Sequence, residues 1–338
     1  MSRENRRQRL LEAADRLGLG AVLLGSPANF AWYTGGADNR VDHSESVGVA
    51  AVLVSPDAEY VVTDNIEAPR MRGEETPDFE VVEHPWHEGP MPLYRGLAGG
   101  RPLGADFSLG DLRDISEEIS PLRYVLDAEA VELYRRVGAE TSASLGEAAA
   151  AVSRGMTEDE AAANLVAACR RRGLKTPVTL VAADDRITRY RHPVPRGDAV
   201  VERRVMLVVC AEFSGLYVSL TRIVHLEEPD RDFRWRQGAC EEILRRMREE
   251  ATQPGRTLAD AFEDCKRFYA EAGVPDEWRL HHQGGMAGYA AREVIASPET
   301  CQKMQVGQAF AWNPSVTGAK AEETFILNGS GPEVITAT

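Results

Sequence analysis

The sequence predicts a two-part mixed fold, a small α/β domain over residues 1–125 followed by a longer α+β domain over residues 126–338. Three observations predict it. Short helix and strand patterns alternate at the start. Long helical patterns take over from PLRYVLDAEAVELYRRVG onward, and a helix-bearing segment then occurs twice.

Taken in order, RENRRQRLLEAADRL predicts an amphipathic helix over residues 5–17, leading into the strand AVLLG that ends at Gly25. SVGVAAVLV and EYVVT read as two strands joined by the turn SPDA. FEVVEH adds a further strand, and a helix is expected to start near Asp111. The sheet of this layer is expected to be mostly buried. In the second part, SRGMTEDEAAANLVAACRRRG sets Gly155, Thr157 and Gly173 around a helix, and QPGRTLADAFEDCKRFYAEAG sets Gly255, Thr257 and Gly273 around another. Thr can cap each helix and Gly can stop it. Each also follows another helix and precedes sheet-like sequence. Two related halves are expected, with helices on one side and a shared antiparallel sheet on the other.

Composition removes several function classes. A net charge of -14 argues against a nucleic-acid partner, because phosphate binding needs concentrated basic surface. No stretch approaches the roughly 20 apolar residues that span a bilayer, and the N-terminus lacks the apolar core of a secretory signal. Five scattered cysteines without a CxxC pair suit reduced thiols, so a cytoplasmic location is expected. Neither GxxxxGK[ST] nor GxSxG occurs, which leaves no phosphate loop and no nucleophile elbow.

The stretch HHQGGMAGYAAREV has a chemical look, with two histidines ahead of Gly284 and Gly285, which would let a backbone approach a bound group. Together with LVVCAEFSGLYVSLTRIV, FAWNPSVTGAKAEETFIL and NGSGPEVIT, it resembles the creatinase, prolidase and aminopeptidase P superfamily (peptidase family M24). SPANFAWYTGG is similar to that superfamily's creatinase-type N-terminal domain. The resemblance implies such a domain followed by a pita-bread catalytic domain. It also implies a homodimer in which the N-terminal domain of one subunit helps close the site of the other.

Peptidases of the family hold two divalent metals on an Asp, Asp, His, Glu, Glu set. Those positions fall here on Val208, Ser219, His282, Asn313 and Glu322, with a one-residue slip to Glu323 open. Val208 donates nothing and Ser219 is neutral, so a bridged metal pair would be under-coordinated. No required metal or other cofactor is therefore expected, as in the metal-independent members creatinase and ectoine hydrolase, with one weak ion on His282 and Glu322, joined by His192, left open.

The resemblance makes His282 the candidate general base or acid. His281 would point the other way on a strand and is set aside. Glu322 is expected to orient a cationic group or the attacking water, and Lys320, two residues before it, to pair with it or hold a substrate carboxylate. His192, in RYRHPVPRGD, matches a substrate-facing histidine able to stabilise an oxyanion. Asn313, kept extended by Pro314, can position substrate through its amide. Arg222 is expected to bind a carboxylate or brace Glu322. Phe30, Trp32, Tyr33 and Arg40 are the candidates for closing over a neighbouring subunit. Asp198 reads as a turn residue and Cys210 as a small buried one.

The expected activity is metal-independent hydrolysis of a carbon–nitrogen bond in a small polar molecule. The alternatives are a non-catalytic binding protein, an Xaa-Pro peptidase or dipeptidase, and a metal-free lyase.

Overall fold

The computed structural model describes residues 2–337, in two units, one ending at Arg123 and the other beginning at Tyr124. The first contains α1 (Arg3–Arg16), β1 (Ala21–Leu24), α2 (Pro27–Thr34), β2 (Ala50–Val54), β3 (Glu59–Asp64), α3 (Ala68–Arg70), β4 (Glu80–His84), α4 (Met91–Ala98), β5 (Leu103–Ala105), β6 (Arg113–Asp114) and α5 (Ser116–Ile119). Its sheet runs β4-β3-β2-β1-β5-β6. The apolar runs of β1 and β2 are buried at every position, as central strands require.

Two local expectations change here. No helix starts at Asp111. Residues 113–114 pair with β5, and Asp114 accepts from the Ser116 amide at 2.9 Å, so the helix opens at Ser116. In α2, Pro27 sits in the first turn and Gly35 closes the helix at φ 85°. The chain itself buries Phe30, Trp32 and Tyr33 to 3% exposure or less, so these aromatics are core and not a free closing element.

The second unit contains α6 (Ala128–Ala150), α7 (Glu158–Arg171), β7 (Lys175–Ala183), α8 (Arg186–Arg189), β8 (Arg204–Phe213), β9 (Leu216–His225), α9 (Arg231–Arg246) and α10 (Leu258–Glu271). The shorter strands β10 (Gly284–Ala287), β11 (Val294–Ile295), β12 (Ala309–Trp312), β13 (Ser315–Val316), β14 (Ala319–Lys320), β15 (Glu323–Asn328) and β16 (Gly331–Val334) follow. The internal repeat is plain in the hydrogen bonds. Thr157 and Thr257 each open a capping box, with Glu160 and Asp260 returning the bond. Gly155 donates to the Val201 carbonyl at 2.9 Å and Gly255 to that of Met304 at 2.8 Å. Gly173 and Gly273 follow the two helices at φ 77° and 81°.

The halves do not share one continuous sheet. β7-β8-β9 and β11-β10-β12-β15-β16 are separate ladders. They are stitched where β9 meets β15. The Thr324 hydroxyl accepts from the Ser219 amide at 3.0 Å and donates to the Ser219 carbonyl at 2.9 Å. Behind the five-stranded sheet, Phe262, Phe268 and Tyr269 of α10 pack with Phe310, Trp312 and Phe325. Burial of each such ring contributes about 1.5–3 kcal/mol.

Gly284 and Gly285 do not form a turn around a ligand. They lie in β10 at φ 103° and 155°, where a Cβ would stand 2.1 Å from the carbonyl oxygens of Ala311 and Val294 respectively. A Gly284→Ala protein is expected to lose at least ~1–3 kcal/mol from the positive φ alone, with the clash adding to it. A urea midpoint equal to that of the parent protein would contradict this.

Candidate active site

The β8–β9 hairpin turns on Ser214 and Gly215, both at positive φ (50° and 81°), which fits its tight two-residue connection. The register sets Cys210 opposite Ser219 and Val208 opposite Thr221. Alternation then puts Val208, Cys210, Ser219 and Thr221 on one face and Arg222 on the other. Val208 is buried in an apolar cluster with Met206, Ala182 and Ile187.

Beside this face lies a buried ionic group. Glu322 Oε2 accepts from Lys320 Nζ at 2.8 Å and from the Thr221 hydroxyl at 2.6 Å. Glu322 Oε1 accepts from Arg292 Nη2 at 3.1 Å, while Arg292 Nη1 donates to Ser219 Oγ at 3.0 Å. Burial pushes the Glu322 carboxyl up, but Lys320 and then Arg292, with the hydrogen bonds from Lys320 and Thr221, outweigh it and hold the pKa at about 2. Lys320 and Glu322 are 6% and 5% exposed, so the group lies out of water. No second carboxylate pairs with either cation among the described residues, which leaves one positive charge in excess.

Three imidazoles stand near this group. His192 comes from the loop after α8, and His281 and His282 from the loop before β10, not from the strand. His281 Nε2 lies 2.8 Å from His192 Nε2, so one ring donates and the other accepts. The His281 and His282 rings stack at 4.5 Å. Burial, then Lys320 and the other two rings, lowers the His281 pKa to about 3. Partial desolvation by its surroundings, then Arg292 and His192, lowers that of His282 to about 4, although the residue reaches solvent. His192 is shifted down as well, by burial and then by Lys320. All three are neutral near pH 7.

The sequence-derived candidates thus sort themselves. Glu322, not Glu323, turns inward, since Glu323 is bound by Arg248. Lys320, His192 and His282 belong to the same neighbourhood. Asn313 is buried, with its backbone N–H on the Gln283 carbonyl and its side-chain Oδ1 without a partner, close over Gly284. Arg222 does not brace Glu322; its guanidinium lies against α6 at Gly146, and Thr221 and Arg292 do the bracing. Arg40 is engaged by Asp38 of its own unit at 2.8 Å. Two residues went unselected in the sequence, His281 and Arg292, although both lie inside HHQGGMAGYAAREV. Lys320 and Glu322 also border a groove of about 910 Å³ along β9 and α9, together with Arg222, Phe233 and Glu241. None of the three histidines lines it.

Residues 132–330 match metallopeptidase family M24, and residues 6–171 match the creatinase/prolidase N-terminal domain. The chain belongs to metallopeptidase family M24. This M24 protein is therefore a hydrolytic enzyme by family. Among solved structures it is similar to the prolidase from Pyrococcus horikoshii OT3 (TM-score 0.83, 17% identity, 99% of this chain and 98% of that one). It is also similar to an Xaa-Pro dipeptidase from Bacillus anthracis (0.81, 18%, 100% and 98%). A third is an X-Pro aminopeptidase from Thermotoga maritima MSB8 (0.81, 21%, 98% and 97%). At these identities the likeness establishes the fold. No curated protein matches the sequence. No helix among the described residues is long and apolar enough to cross a membrane.

The metal pair implied by the family name does not fit this M24 chain. Val208 offers no ligand, and the Ser219 hydroxyl is taken by Arg292. Both oxygens of Glu322 are taken by an ammonium, a guanidinium and a hydroxyl. A divalent ion placed there would meet two fixed cations and a single carboxylate.

Proposed function

We propose that the protein hydrolyses a carbon–nitrogen bond in a small polar molecule and does so without the two-metal centre of its family. One observation carries this reading: Lys320 and Arg292 sit on Glu322 and Ser219, where divalent ions would need ligands. A preorganised ammonium and guanidinium supply the positive charge that a metal supplies elsewhere, and in a buried place such charge stabilises a developing oxyanion strongly. Neutral His282 accepts the proton of the attacking water. The imidazolium of His282 then passes that proton to the leaving nitrogen, while His192, bonded to His281, donates a hydrogen bond to the oxyanion. The unpartnered Asn313 Oδ1 takes an N–H of the substrate, since a buried acceptor calls for a donor. The proton budget closes, because the one taken from water returns to the amine product.

The Xaa-Pro activities in the neighbours' names would need the missing metal pair, so they are the contrary outcome. Chelator-treated protein, offered a set of small amides, ureas, amidines and Xaa-Pro dipeptides in ¹⁸O-water, is expected to place one labelled oxygen in the carbonyl product. Turnover that appears only on adding manganese or cobalt would overturn the proposal, and an unlabelled, unsaturated product would make the reaction an elimination. A homodimer, with Arg40 serving a partner's site, belongs to the same proposal. Sedimentation at micromolar protein is expected to give the dimer mass, against which a fully active monomer would count.

A further inference from the structure

The three histidines also stand close enough together to share a ligand. Their candidate ligand nitrogens all lie within 4.8 Å of one another, and the His192–His281 pair is at 2.8 Å. Zinc bonds of about 2.0–2.1 Å place two tetrahedral nitrogens roughly 3.3 Å apart, so small side-chain adjustments bring three nitrogens onto one ion. The loops beneath them are fixed. Arg191, next to His192, holds Glu277 at 2.5 Å and the Thr317 hydroxyl at 2.9 Å. Gln283, next to His282, donates to the His281 and Trp278 carbonyls at 2.5 and 3.1 Å and accepts from the Tyr269 hydroxyl at 2.7 Å. These bonds fix the chain on either side of the ligands, while the buried Nδ1 of His281 has no protein partner.

We propose that His192, His281 and His282 form a mononuclear site for a borderline transition-metal ion of the zinc class. It is distinct from the family's two-metal position, with which it shares only His282. An all-imidazole set selects Zn²⁺, Co²⁺ or Ni²⁺ over Mg²⁺, Ca²⁺ or Mn²⁺, which prefer oxygen ligands. Exposed His192 and His282 leave a coordination position open to water or a small anion. The excess positive charge of Lys320 and Arg292 over Glu322 opposes a dication and weakens its binding. On the reading that His282 is the proton acceptor, the bound ion inhibits turnover, because it occupies that lone pair.

The test is titration of the chelator-stripped, full-length protein with cobalt chloride, read by visible d–d absorption. The expected result is saturation at one ion per chain, with His192→Ala and His281→Ala each weakening binding by on the order of tenfold or more. His192 is exposed, so its variants retain the fold, and His192→Gln checks that loss of the ligand and not of packing is responsible. The absence of a d–d band, a band that never saturates, or one that survives both alanine variants would overturn the proposal. The absorption readout is independent of turnover, so the metal site stands or falls separately from the catalytic role of His282.

Discussion

Replacing Glu322 with glutamine is expected to destabilise the protein by about 3–5 kcal/mol, because it leaves two buried cations without their carboxylate. Against a total stability of about 5–15 kcal/mol this is a large share. The loss is specific to this carboxylate, because Lys320 and Arg292 have no other carboxylate partner among the described residues. The effect also has a pH signature. The folded-state pKa of Glu322 is depressed from 4.5 to about 2, so its contribution is fully present above the unfolded value. It is lost as pH falls through the folded one. The gap between parent and variant should therefore narrow below about pH 4.5 and close toward pH 2. Urea unfolding at pH 7 and at lower pH measures both. Glu323→Gln, which loses only the more accessible pair with Arg248, is the control and should cost about 1 kcal/mol or less. Equal midpoints for Glu322→Gln and the parent at pH 7 would remove the ionic group from the account.

The second large effect is on turnover. His282→Ala is expected to lower kcat by ~10²–10⁴-fold, the usual contribution of a positioned general base, while leaving stability near that of the parent because the ring is exposed. His192→Ala should fall less far, since it removes a hydrogen-bond donor to the oxyanion and not the proton acceptor. Steady-state kinetics on the best substrate, with circular dichroism to confirm the fold, separates the two. Full turnover in folded His282→Ala protein would end its role as proton acceptor.

Much of the fold was legible because its signals are local. The first four strands of the first sheet and the duplicated Gly–x–Thr helix starts all depend on residues near each other in the sequence. The Lys320–Glu322 pair was legible for the same reason, as the two residues are separated by one position. Arg292 was not, because it meets Glu322 across 30 positions and Ser219 across 73. His281 was set aside on the assumption of a strand, yet it lies in a loop and meets His192 across 89 positions. Gly284 and Gly285 misled in a different way. Their missing side chains serve neighbouring strand carbonyls, which only the sheet register reveals. Arg222 could have been assigned correctly from alternation alone, since Thr221 before it faces Glu322.

On the proposed function, fixed side-chain cations occupy the place of the family's metal pair. The most direct measurement of this needs no substrate: the protein is titrated with Mn²⁺ and free ion is followed by electron paramagnetic resonance. Manganese favours oxygen ligands and so reports the carboxylate position more than the histidines. The expected signal rises linearly from the first addition, as in buffer alone. Disappearance of two equivalents of Mn²⁺ per chain, restored to the free signal by Glu322→Gln, would contradict it.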